Sequence, residues 1–209
     1  MAASAPPPSD DAQPPRPGLR ERKKLKTRVA IREATYRLIA EQGYEATTVE
    51  QIAAAAEVSP STVFRYFPTK EDIVLTDEFD PVMETAIRAR PADEPPLESL
   101  RSVLRQAITA VLADQPDELF QRSKLMLEIP AVRARMTETM AETSLLLSRA
   151  VADRTGRDAG DLEVRVFTAA VMAALREVTI YWAEHDRKDD LAVLIDNALD
   201  TLKGGGLTL

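Results

Sequence analysis

The chain has 209 residues, 44% of them hydrophobic, with no cysteine and one histidine, His185. The length fits one large or two small domains, and the missing thiols exclude a disulfide scaffold, thiol catalysis and cysteine-bound metal. The net charge of −7 is uneven: residues 1–70 hold 11 basic and 8 acidic side chains, and the remainder 16 and 26, so an acidic body carries a basic stretch at one end.

Residues 1–18 include "APPPSDDAQPPRPG", with six prolines and almost no bulky apolar residue, and read as a disordered tail. No apolar leader core and no run of eighteen apolar residues is visible, so the expectation is a cytoplasmic protein without membrane contact. Seven of residues 19–32 are basic and one is acidic. From residue 20 onward the pattern is helical. Ile31, Ala34 and Leu38 share one face, and Gly43 marks a helix end. Thr47 with Glu50, or Thr48 with Gln51, can form a capping box for a short second helix. Ser59 suits the N-cap and Pro60 the first position of a third helix, which must end at Phe67 before Pro68. Thr69 then caps a fourth helix, expected to run on through Phe79, Val82, Met83 and Ile87. Further helices are expected near 97–114, 117–128, 131–154, 159–184 and 189–203, broken by prolines and by Gly156 and Gly160. No alternating strand pattern competes, so the fold class is all-α.

Two short helices joined by a tight turn make a helix-turn-helix, whose second helix enters the major groove. Stepping residues 60–67 at roughly 100° each puts Val63 and Phe67 on the core side. Ser61, Thr62 and Arg65 fall opposite, flanked by Phe64 and Tyr66. Small side chains let the backbone approach a groove, Arg65 can pair with guanine or phosphate, and Phe64 can meet a thymine methyl. Tyr66 and Lys70 suit phosphates, which position without reading sequence. The basic arm at residues 20–28, which ends at Arg28, can add phosphate or minor-groove contacts.

The stretch "TRVAIREATYRLIAEQGYEATTVEQIAAAAEVSPSTVFRYFPTKEDIV" resembles the N-terminal domain of TetR-family transcriptional regulators over about residues 25–75. The resemblance implies a homodimer on a palindromic operator, released by a small molecule. It implies phosphate contacts by Thr48, Thr62, Tyr66 and Lys70, and base-facing positions at Pro60, Ser61, Phe64 and Arg65. Three residues depart from the family pattern: Phe64 where tyrosine is frequent, Glu50 where a base often stands, and Glu57 in place of a common glycine at the turn. The implied division is residues 1–18 as tail, 19–68 as DNA-binding domain and 69–209 as helical ligand-binding and dimerisation domain.

In the C-terminal part, Leu162 to Trp182 is apolar around most of its circumference and must be covered on more than one side. Leu191, Leu194, Ile195, Ala198 and Leu202 form a stripe beside it. Both helices, near 159–184 and 189–203, fit the dimer interface that the family resemblance implies. Met126, Met136, Met140 and Met172 suit a pliable pocket or plain core, with Met83, Phe120 and Phe167 as further candidate lining residues. Arg176, in an apolar run, can bind an anionic ligand, pair structurally, or reach solvent. The run from "LEIPAVRARM" to "DNALDTL" is similar to actinobacterial TetR-type regulators with acyl-CoA-like ligand domains, including mycofactocin-system regulators. That similarity implies an acyl-CoA, fatty acid or other long apolar effector. No cofactor or metal is expected, and no enzyme activity. The competing readings are a helical enzyme, which would need His185 at a cavity with a carboxylate behind it, and an architectural DNA binder, which would have a filled core.

Overall fold

A computed structural model describes residues 18–76 and 80–205. Apart from Gly18, the segment expected to be a tail lies outside the described residues. Ten helices, and no strand, occur among the described residues. The first four are α1 (Leu19–Gln42), α2 (Val49–Ala55), α3 (Pro60–Tyr66) and α4 (Lys70–Leu75). Then follow α5 (Asp80–Arg88), α6 (Pro96–Asp114), α7 (Pro116–Glu128), α8 (Pro130–Thr155), α9 (Leu162–Glu184) and α10 (Leu191–Lys203).

Local chemistry sets most of these boundaries. Pro60, Pro96, Pro116 and Pro130 each open a helix, where the missing N–H costs nothing. Gly43 ends α1 with φ 84°, a region that side chains other than glycine rarely adopt. Of the two possible capping boxes, Thr48 with Gln51 forms; Thr47 is buried, and its hydroxyl donates instead to the Gly43 carbonyl. Thr69 and Asp72 form a second box at α4. The long fourth helix expected from Thr69 to Ile87 is two helices: α4 stops at Leu75, Thr76 is extended, and α5 begins at Asp80. Pro81 has no N–H with which to continue a helix from α4. Phe79 lies outside the described residues, as does the side chain of Val82. α9 starts three residues later than expected because Asp161 precedes it in extended backbone, and Asp190 caps α10 through the amides of Ala192 and Val193.

Three apolar clusters organise the chain. Ile31, Ile52, Ala53, Val63, Phe67 and Ile73 form the core of α1–α4. A larger core gathers residues of α5 to α10, including Leu100, Leu147, Val171, Trp182 and Leu199. Between them, Tyr36, Tyr44, Val74 and Leu75 pack with Leu125, Val132 and Met136 of α7 and α8. α4 thus touches α1 on one side and α8 on the other, which makes it the mechanical link between the two ends of the molecule. A second link is Arg32 of α1, which is buried, donates to Gln115 Oε1 at 2.9 Å and stands 2.6 Å from Glu118 Oε1. Burial outweighs the attraction of Arg32 and Arg122 and pushes the Glu118 carboxyl up.

Candidate nucleic-acid interface and effector cavity

The turn between α2 and α3 is closed by two backbone bonds, Val58 N–H to Ala53 O at 2.9 Å and Glu57 N–H to Ala54 O at 3.2 Å. This paired closure places the residue after the C-cap in left-handed conformation. That residue is Glu57, with φ 55°, which explains why glycine is frequent there. On α3, Val63 and Phe67 are buried, whereas Pro60, Ser61, Phe64 and Arg65 are exposed and Thr62 and Tyr66 half-buried. Phe64 leaves 51% of its surface in solvent, a large apolar side chain presented by a polar helix face. The Ser59 hydroxyl caps α3 and lies 2.9 Å from both the Ser61 and Thr62 hydroxyls. The Arg65 guanidinium sits 5.3 Å from the Tyr66 ring centre, and that of Arg28 sits 5.1 Å from the Phe67 ring. Pro60, Ser61, Phe64 and Arg65 are therefore presented by the exposed side of α3, with Arg28 of α1 against Phe67 at its end.

Lys70 has a task that residue spacing did not reveal. Its ammonium donates to the carbonyls of Tyr44 at 2.8 Å and Thr47 at 3.0 Å and lies 3.8 Å from the Tyr44 ring centre. It ties the start of α4 to the loop that precedes α2, leaving one N–H direction for a further acceptor. Beside it the Tyr44 hydroxyl donates to Glu71 Oε1 at 2.6 Å. Burial opposes ionisation of Glu71, yet the Tyr44 phenol and backbone amides hold its carboxyl below its ordinary value. Burial, with this same bond, pushes the Tyr44 phenol well above its ordinary range.

A cavity of about 400 Å³ lies between α4 and the C-terminal helices. Six of the eight residues expected at a ligand site line it: Met83, Met126, Met136, Met140, Met172 and Arg176. The other two lie elsewhere. Phe120 packs edge-on against Trp182, with ring centres 5.7 Å apart, and Phe167 packs against the main core. Residue spacing gave no sign of Asp72, Arg122, Arg135 and Glu142, which also line the cavity. Arg135 Nε donates to Asp72 Oδ1 at 2.6 Å, while Asp72 Oδ2 accepts from the Thr69 amide at 3.0 Å and hydroxyl at 2.8 Å. Burial opposes ionisation of Asp72, but these bonds hold its carboxyl below the usual range. Among the described residues, Arg176 stands 3.9 Å from the Glu177 carboxylate, too long for a firm pair. It lies on the wall shared by the cavity and a groove between α8 and α9, together with Met140 and Met172. That groove and the α9 surface expose Leu145, Leu162, Val166, Ala169 and Ala173. By length and composition alone α9 could cross a membrane; here it packs against α7, α8 and α10. His185 is exposed at the end of α9, stacked on Tyr181, with Nδ1 2.7 Å from the Tyr181 carbonyl. Among the described residues, no three His, Cys, Asp or Glu side chains are grouped as a metal site.

A helix-turn-helix with an exposed second helix, linked by α4 to a cavity-bearing helical body, defines a DNA-binding transcriptional regulator. The chain belongs to the TetR family: residues 31–76 match the bacterial regulatory proteins of the tetR family, and residues 94–206, more than half the chain, match the MftR C-terminal domain. HTH-type transcriptional regulator TcmR of Streptomyces glaucescens is 44% identical over 100 residues, which cover 47% of this chain and 44% of TcmR. The chain thus spans under half the length of the curated relatives it matches. Among solved structures, Thermus thermophilus FadR, a TetR-family repressor in complex with lauroyl-CoA, superposes with a TM-score of 0.57 at 25% identity, covering 87% of this chain and 96% of FadR. Bacillus subtilis FadR in complex with stearoyl-CoA gives a TM-score of 0.59 at 25% identity, covering 85% and 98%.

Proposed function

We propose that this regulator is a repressor that binds an inverted-repeat operator as a homodimer and is released by an apolar, acyl-type small molecule. The observation that carries this reading is the cavity, because its wall includes Asp72, which completes the capping box of α4 with Thr69. A ligand there touches the helix whose first residue, Lys70, fixes the loop before α2. The size falls within the usual range of ligand pockets, about 300–1,000 Å³. The acyl-CoA complexes of the two FadR proteins support the effector class. The exposed apolar stripe of α9, with Val193 and Leu202 of α10 and Leu145 of α8, supports a partner subunit on that side.

On α3, Pro60, Ser61, Phe64 and Arg65 face bases in this reading, and Arg28, Thr48, Thr62, Tyr66 and Lys70 serve the backbone. The enzyme alternative is disfavoured because His185 is exposed and holds its own helix end. The architectural alternative is disfavoured because the helical body is not filled.

The test is selection of bound duplexes from a random library followed by footprinting. The expected outcome is one inverted repeat protected on both half-sites, since dimers bind paired half-sites at fixed spacing. Arg65→Ala should relax base preference at a cost of about 1–3 kcal/mol, while Tyr66→Phe should weaken all sequences alike. Full-affinity binding to an isolated half-site would overturn the dimeric reading.

A further inference from the structure

The cavity has apolar and charged walls. Its apolar wall comes from the main core, through Leu104, Ile108, Leu147, Leu175, Leu191 and Ile195. Asp72, Arg122, Arg135 and Glu142 line it from α4, α7 and α8, and Arg176 is the charged residue on the α9 side. An amphiphile fits such a space with its chain among the leucines and its head at the α4 end. We propose that Arg135 is the head-group subsite, and that an alkyl chain ending in an oxyanion is sensed by drawing Arg135 away from Asp72. This rests on the reading of the cavity as the effector site.

Three contacts give the step its consequence. Arg135 also donates to Glu138 Oε2 at 2.7 Å, on the next turn of α8, so its guanidinium keeps one acceptor when it gives up Asp72. Asp72 is only 7% exposed, and a buried carboxylate stripped of its guanidinium is strongly disfavoured. Its other oxygen holds the Thr69 amide, so loss of Arg135 loosens the cap of α4 itself. From there contact is continuous: Lys70 follows Thr69 and holds the carbonyls of Tyr44 and Thr47, and Thr48 caps α2. An oxyanion competes with Asp72 for the same fork of donors, which a guanidinium presents equally to any carboxylate or phosphate. A cation gains nothing from the Arg135 donors and meets three arginines, Arg122, Arg135 and Arg176, against two carboxylates on the cavity wall, so it is not held by this route.

The linkage is reciprocal: whatever holds Arg135 on Asp72 weakens the ligand, and the ligand weakens that hold. Removing the Asp72 charge should therefore tighten ligand binding, which mere structural damage would not do. The experiment is calorimetric titration of dodecanoate, dodecanoyl-CoA and dodecyltrimethylammonium into the full chain, with and without selected operator DNA. The proteins are wild type, Asp72→Asn and Arg135→Gln. The expected result is that wild type binds one or both anionic probes and not the cation, the two anions separating a free carboxylate from a thioester-borne phosphate. Asp72→Asn should bind the active anion about 5-fold or more tightly than wild type, and Arg135→Gln more weakly by a similar factor. The ratio of ligand affinities with and without operator should collapse towards one in both variants. If wild type binds the anion but neither variant changes its affinity, the Arg135 subsite is overturned while the effector cavity stands. Binding of the cation alone overturns the oxyanion class. If no probe binds wild type, the effector reading itself fails.

Discussion

Replacing Lys70 with methionine separates two roles that a lysine in this position can play. The side-chain stem is kept and can still lie against Tyr44, but the ammonium is lost. With it go two bonds to carbonyls, at 2.8 and 3.0 Å, and the contact 3.8 Å above the Tyr44 ring. Hydrogen bonds to charged groups contribute about 1.5–3 kcal/mol each when intact. A partly exposed cation over an aromatic ring adds roughly 0.5–1 kcal/mol. Lys70 is half-buried and water can reach the loop, so solvent replaces part of both terms. We expect a net loss of about 2–3 kcal/mol once this replacement is counted. Urea unfolding followed by circular dichroism measures it as a lower midpoint at unchanged slope. Operator affinity should fall alongside, equally for all sequences, because the loop before α2 is no longer tied to α4. An unchanged midpoint with a large loss of operator affinity would mean that the ammonium serves phosphate alone and does not tie α4 to the loop.

Three further outcomes are expected. Glu57→Gly should be neutral or stabilising by up to about 1 kcal/mol, because relief of the left-handed backbone exceeds the entropy cost of glycine; thermal unfolding checks it. If α9 forms the proposed dimer contact, Ala169→Glu on its exposed stripe should shift the sedimentation velocity profile towards monomer, since a charge would be buried there. The Asp72 carboxyl is depressed in the folded state, so its contribution is present above its unfolded value near pH 4 and is lost as pH falls through the folded value. Asp72→Asn should therefore flatten that part of the acid-unfolding profile.

Boundaries that depend on one residue's chemistry were legible in the sequence. Ser59-Pro60, Phe67-Pro68 and Gly43 mark helix limits whatever surrounds them, and Val63 and Phe67 follow from helical spacing alone. Met126, Met136, Met140 and Met172 read in the sequence as soft residues for a pocket or for plain core, and spacing alone could not choose; all four line the cavity. What stayed hidden depends on contacts distant in sequence. Arg135 meets Asp72 across 63 residues, and Arg32 meets Gln115 across 83. No local pattern distinguishes those arginines from others in a chain with many. Phe120 and Phe167 show the limit of spacing: an aromatic at a helical interval does not tell a cavity wall from a place beside the core, and both are half-buried and packed against the main core away from the cavity lining. The break between α4 and α5 was signalled by Pro81, which the periodicity of the flanking apolar residues obscured.

In the proposed function, one linked equilibrium joins the cavity to the helices that face DNA. The decisive measurement is the affinity of dodecanoyl-CoA or dodecanoate for the wild-type chain, free and saturated with selected operator. Ligand binding should be weaker in the presence of operator, by the same factor with which the ligand weakens operator binding. Equal ligand affinity in the two states, at whatever strength, would contradict the linkage.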